Sequence, residues 1–198
     1  IAVKRIIEDR KKFPGVYGLV SELGEVSTKY ALALEIAAGA KIKAVVVESD
    51  KVAHDCINYL KENKLGVITF IPLNKIRERP EDPGVARMIG LPGVHGKAFD
   101  LVTCDPKFEK VFRWVFESTV VVQDLNTARK IGIGNAKMVT LEGDLCDMSG
   151  SMTGGFRQKR EGLGFNEKEV TDSIKRYDLI QADMGSKIGA LEERKHDL

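Results

Sequence analysis

The apolar positions fall into two regimes. At both ends they recur at spacings of four and three. In the middle they come as short, unbroken β-branched runs. Near the C-terminus, Val170, Ile174, Tyr177, Gln181, Met184, Ile188, Leu191, Lys195 and Leu198 trace a heptad seam with two polar interruptions, Gln181 and Lys195. The pattern predicts a helix over 166–198, with Asn166 as N-cap and Glu167 and Glu169 in the first turn, where the helix dipole favours negative charge. Val3, Ile6, Arg10 and Phe13 follow the same spacing weakly over residues 1–12, and Pro14-Gly15 stops that helix. A helix this short is marginal alone. The two ends are therefore expected to pair as an antiparallel coiled-coil stub; the alternative is two amphipathic helices lying on a globular body.

Between the ends the sequence repeats itself once. Gly15-Val16-Tyr17-Gly18 resembles Gly93-Val94-His95-Gly96, each a turn entering a strand, and the second tetrad lies 78 residues after the first. At the same offset, the helix opened by Tyr30 answers the helix opened by Phe108. Val45-Val46-Val47-Glu48 then answers Val120-Val121-Val122-Gln123, a helix with Ala53 answers one with Ala128, and Val67-Ile68-Thr69-Phe70 answers Met138-Val139-Thr140-Leu141. The triple-valine runs lack polar alternation, so those strands are expected to be covered on both faces. The fold class is α/β: two pseudo-repeated α/β lobes, about 13–73 and 84–165, joined by the charged, proline-bearing linker 74–83.

The 198 residues suit one domain or two small lobes with a common core. A content of 43% apolar and 30% charged residues is that of a globular chain, and no apolar run approaches the length needed to span a bilayer. The ends, IAVKRIIEDRKK and EERKHDL, read as cuts through a longer protein, and no signal peptide is visible. A net charge of +2 argues against a dedicated basic nucleic-acid-binding domain but leaves room for a local patch. Lys4, Arg5, Arg10, Lys11 and Lys12, together with Arg157, Lys159 and Arg160, are such a candidate DNA-binding patch; the competing reading is two solvated helix faces. Cys56, Cys104 and Cys146 are odd in number and form no C-x-x-C pair, which fits small apolar side chains in a reducing cytoplasm.

Candidate chemistry is sparse. Gly93 to Ala98 approaches a P-loop, but the first glycine position holds Leu91 and the hydroxyl position holds Ala98, so no magnesium ligand follows the lysine. Gly132-Ile133-Gly134 follows a helix pattern and reads as a helix C-cap rather than a dinucleotide fingerprint. His54, His95 and His196 have no paired spacing, and Ser149 and Ser151 sit in no nucleophile elbow. No metal or cofactor is expected. The segment Met148-Ser149-Gly150-Ser151-Met152-Thr153-Gly154-Gly155 does stand out, since glycines among β-compatible residues mark close backbone approach. It reads as a strand edge left bare for another chain, with a phosphate-cradling loop as the rival.

The paired G-V-x-G starts, the V-V-V-E and V-V-V-Q-D strands, Ile68 to Leu73, Val139 to Asp144 and the closing Gly150 to Gly155 together resemble the hinge of structural maintenance of chromosomes (SMC) proteins, of archaeal or bacterial type. The resemblance spans about Phe13 to Phe165. It implies a non-enzymatic hinge over 13–165, with coiled-coil stubs at 1–12 and 166–198 leading to ATPase heads elsewhere. It further implies a homodimer joined by two equivalent contacts through Gly150, Ser151, Met152, Thr153, Gly154 and Gly155 with Ile68 and Phe70. Weak, salt-sensitive DNA binding near the coiled-coil junction, a nucleoid-associated cytoplasmic location, no membrane contact and non-SMC partner subunits complete the expectation. The alternative is a small α/β nucleotide-binding enzyme. A zinc-hook repair ATPase would need the missing C-x-x-C.

Overall fold

The computed structural model describes residues 2–78, 80, 82–156 and 164–196. In lobe one, α1 (Ala2–Glu8) and a 3₁₀ turn over Asp9–Lys12 lead into β1 (Val16–Leu19), β2 (Gly24–Val26), α2 (Ala31–Ala38), β3 (Val45–Val47), α3 (Asp50–Glu62) and β4 (Phe70–Pro72). Gly15 enters β1 with φ +100°, a region open to glycine without steric cost. β3 is buried along its whole length, as its unalternating valines require, with β1 antiparallel on one side and β4 parallel on the other. Ser49 caps α3 by accepting the Val52 N–H.

Lobe two repeats the plan with α4 (Pro83–Met88), β5 (Val94–Lys97), β6 (Val102–Cys104), α5 (Glu109–Phe116), β7 (Val120–Val122), α6 (Leu125–Ile131) and β8 (Met138–Thr140). The register repeats as well. Val16, Gly18 and Leu19 face Val47, Val46 and Val45, with an irregularity after Val16. Val94, Gly96 and Lys97 face Val122, Val121 and Val120, with the irregularity after Val94. Even the helix ends match, since Gly39 closes α2 at φ 54° and Glu117 closes α5 at φ 51°. Lobe two then adds a hairpin, β9 (Leu145–Cys146) and β10 (Met152–Thr153), which widens its sheet to the order β10-β9-β8-β7-β5.

The lobes share their largest core. Ala33, Leu34, Ala37 and Val46 from one side pack with Val111, Phe112, Phe116 and Val121 from the other. Their second strands pair across the seam: β2 runs antiparallel to β6, Gly24 opposite Cys104 and Val26 opposite Val102. Gly24 has to be glycine there, because a Cβ would lie 2.6 Å from the Phe112 ring. Two lysines clasp the seam in opposite directions. Lys41 Nζ donates to the Trp114 and Val115 carbonyls (3.1 and 3.3 Å) and to Glu117 Oε1 (2.9 Å), at the C-terminus of α5. Lys137 Nζ donates to the Ala37 carbonyl (3.3 Å) at the end of α2. Burial, aided by the nearby Lys41 ammonium, pushes the Lys137 pKa down. The linker is tied at both ends. Asn74 exchanges two hydrogen bonds with Asp50, and Asp82 caps α4.

The described residues do not show the two end helices paired with each other. Ala2 and Ile6 of α1 are sunk into a lobe-one core with Val16, Leu19, Val45, Ala53, Cys56 and Leu60. They do there what Val85 and Met88 of α4 do in lobe two, so the repeat begins one element earlier than its glycines suggested. A seven-residue helix is marginal alone, and this adjacent apolar surface holds it. Asn166 is not an N-cap. With Glu167 it forms β11 (Asn166–Glu167), parallel to β2, and α7 (Lys168–His196) begins after it. Phe165 anchors this turn, its ring 6.3 Å from Phe112 and 5.9 Å from Phe116. Along α7, Val170, Ile174, Tyr177, Met184 and Ile188 are 52–73% exposed, so α1 does not cover the seam.

Candidate interaction edges

Each lobe ends its main sheet in an edge strand, and the two edges differ. β4 is the outer strand of the three-stranded sheet β1-β3-β4. Its counterpart β8 is covered by the β9–β10 hairpin, for which the described residues of lobe one hold no equivalent, so β4 is the uncovered version of a position that lobe two fills. Ile68 and Phe70 turn half-buried side chains into the lobe-one core, and Val67 beside them is 97% exposed. Of the expected strand Val67–Phe70, the structure forms only its end, running instead over Phe70–Pro72.

The other edge is β10. The β8–β9 turn is a three-residue loop, Leu141-Glu142-Gly143, with Gly143 at φ 87° as such loops require. β9 and β10 pair Cys146 with Met152 and Leu145 with Thr153. Their turn is held by Asp147, whose Oδ1 accepts the Ser149 N–H at 3.0 Å, and this bond holds the carboxyl below its usual pKa. Since Ser151 turns its carbonyl to the Asp147 N–H (2.8 Å), strand alternation points the N–H and C=O of Met152 outward, away from β9. Met148, Met152 and Phe156 are exposed around this edge, Phe156 by 97%.

The structure brings Gly150, Ser151, Met152, Thr153, Gly154 and Gly155 onto one exposed edge and places Ile68 and Phe70 at the other. The glycines differ in why they are bare. Gly150 and Gly155 adopt φ +86° and +128° with open space where a Cβ would go, whereas a Cβ on Gly154 would run into the Asp144 carboxylate. At Gly154 the bare position thus makes room for a carboxylate of its own chain, which the sequence pattern gave no means to see.

The candidate DNA patch is weaker than its charge count. Lys4 pairs with Glu8 (3.8 Å), Arg5 and Lys12 with Asp9 (3.4 and 3.2 Å), and Arg10 with Glu22 (3.6 Å). The Tyr59 hydroxyl, 2.6 Å from Asp9, and the Lys12 ammonium depress the Asp9 pKa, while hydrogen bonding to Tyr59 and the charge of Asp9 raise that of Arg5. Lys11 is exposed. Arg157, Lys159 and Arg160 lie outside the described residues. The junction itself is compact, since Asn166 Nδ2 donates to the Glu22 carbonyl (3.4 Å) and Arg10 reaches the Glu22 side chain.

The rival motifs resolve into structure. Lys97 lies within β5 rather than at a helix start, and Gly132 is the C-cap of α6. His95 is engaged by Gln123 Oε1 (2.9 Å) and packs edge-on against Tyr30. Cys56 and Cys146 are buried and Cys104 half-buried; burial raises all three thiol pKa values, that of Cys56 to about 11. No helix among the described residues is long and apolar enough to cross a membrane.

Two α/β repeats fused through one core, with two exposed strand edges and a helical arm rooted at the seam, make this a duplicated α/β domain. The chain belongs to the SMC hinge family: the family model for the flexible hinge domain of SMC proteins matches residues 13–132. The chromosome partition protein Smc of Synechococcus sp. is 43% identical over 175 residues, which is 87% of this chain and 14% of that protein. That of Aquifex aeolicus is 46% identical over 148 residues, 73% of this chain and 12% of that protein. The chain thus spans about one-seventh of the curated relatives it matches. Among solved structures, an asymmetric dimer of the Geobacillus stearothermophilus SMC hinge domain superposes with a TM-score of 0.79 at 28% identity, covering 97% of this chain and 77% of that one. The Pyrococcus furiosus SMC hinge domain gives 0.63 at 38% identity, covering 81% and 91%.

Proposed function

We propose that this chain is the dimerisation hinge of an SMC chromosome condensation and segregation ATPase whose heads lie elsewhere. The observation that carries the reading is the pair of unequal open edges, β4 on one lobe and β10 on the other. In a two-fold dimer, β10 of each copy lies along β4 of its partner. This supplies lobe one with the covering hairpin it lacks and closes a ring through two equivalent contacts. Each contact joins a three-stranded sheet to a five-stranded one. Ile68 and Phe70 brace the receiving edge from behind, and Gly150 to Gly155 form the entering one. Sedimentation equilibrium on the wild-type chain tests this: a dimer is expected at micromolar concentration, and a monomer at tens of micromolar refutes it.

The same reading makes α7 one strand of a coiled-coil arm. Its exposed seam from Val170 to Ile188 needs a second helix, and Glu22 brings Arg10, which follows α1, beside Asn166, which precedes α7. DNA binding, through Lys11 with Arg157, Lys159 and Arg160 and the ion-paired cations of residues 4–12, is secondary, weak and salt-sensitive, and it places the protein on the nucleoid. The nucleotide-binding enzyme is the disfavoured alternative; it predicts ATP affinity, and the hinge predicts none. Non-SMC subunits are further partners of the parent complex.

A further inference from the structure

We propose that Asp144 is the positioning residue of the β10 edge, an inference that rests on the association reading above. The hairpin register runs Met152 opposite Cys146 and Thr153 opposite Leu145, which brings Gly154 opposite Asp144. The Asp144 carboxylate lies in the space a side chain at 154 would take. Its Oδ1 accepts the Gly155 N–H at 3.3 Å. Its Oδ2 accepts the Thr140 hydroxyl proton at 3.2 Å, and the Thr140 oxygen accepts the Asp144 N–H at 2.9 Å. One end of the carboxylate is thus fixed to the closing pair of the β8–β9 turn, and the other fixes where the chain leaves β10.

The physical consequence is preorganisation. A two-residue strand is too short to hold its own exit direction, and without a tether the ordering of Gly154 and Gly155 is a cost of binding, since glycine loses the most conformational freedom of any residue. Asp144 meets that cost within the monomer. It also accounts for glycine at 154 without invoking the partner. The partner then meets an edge whose outward Met152 groups are already placed.

The test is a double-mutant cycle read by sedimentation equilibrium, with amide exchange at Gly155 as an intrachain readout. Asp144→Ala is expected to weaken the dimer about tenfold or more, the loss of a charge-assisted bond at both contacts, and to speed Gly155 exchange. Asp144→Asn, whose amide oxygen still accepts, should stay within about threefold of wild type. Gly154→Ala should weaken the dimer while Asp144 is present, and should add nothing once Asp144 is alanine. A Gly154→Ala penalty that persists in the Asp144→Ala background overturns the proposal, because the partner then requires the bare position. A wild-type dimer affinity in Asp144→Ala overturns it too. If wild type is monomeric while Asp144→Ala still loses Gly155 protection, the tether is real but the association reading, and this role with it, falls.

Discussion

Replacing Met152 with proline separates the outward main chain of β10 from everything else the hairpin does. Ser151 and Thr153 face inward to β9 and the Met152 N–H points outward, so proline removes a donor that the monomer does not use. The lost side chain is 49% exposed and belongs to none of the three cores, so the monomer's stability should hardly change. In the dimer, each missing N–H leaves a carbonyl of the receiving strand buried without a donor, at about 1–3 kcal/mol. The ring has two such contacts, so the dimer loses about 2–6 kcal/mol, a weakening of roughly 30-fold to more than ten-thousandfold. Sedimentation equilibrium gives the dissociation constant, and circular dichroism with urea melts below that concentration shows that the lobe is intact. A folded Met152→Pro chain that dimerises like wild type would refute strand pairing at this edge and leave only side-chain contacts to hold the copies together.

Three other outcomes are expected. Phe112→Ala, in the core both lobes share, should cost about 3–5 kcal/mol and still give a single urea transition; separate transitions would mean that the lobes fold independently. Asp9 has its pKa lowered by Tyr59 and Lys12, so its contribution to stability is full above the unfolded value of 3.8 and is lost as pH falls below it. Asp9→Asn should therefore lower the urea midpoint at neutral pH, and the difference should shrink below about pH 4; a gap independent of pH would count against the carboxylate. Reversing Lys159 and Arg160 to Glu should abolish a low-salt gel shift with DNA, whose log–log salt slope should be about −0.7 to −0.9 per phosphate contacted; an unchanged shift removes this patch.

The repeat was legible because its signals are local: left-handed glycines before β1 and β5, and β3 and β7 with no polar alternation. What escaped was whatever depends on a surface far away in sequence. Gly24-Glu25-Val26 and Val102-Thr103-Cys104 share no pattern, yet they pair across the seam, because their conformation is imposed by the partner strand. Heptad spacing marks the apolar face of α1 without saying what covers it, and the adjacent lobe won. Asn166 has the chemistry of an N-cap, but Phe165 docking into the shared core draws it into a strand. The exposed Met152–Gly155 edge was legible as a run of bare backbone, while the role of Gly154 was hidden in a contact with a carboxylate ten residues earlier.

The rooting of α7 has a mechanical consequence. Tension travelling down the arm enters the body at Phe165 to Glu167, where the strand is laid on β2 and the ring is wedged against Phe112 and Phe116 of the other lobe. The load is therefore delivered to the joint between the two halves and divided between them. Lys41 and Lys137, reaching across that joint in opposite directions, act as crossed rivets. Under a pull on the arm, the body should therefore move as one block, with strain passed on to its outer rims rather than spent in parting the lobes.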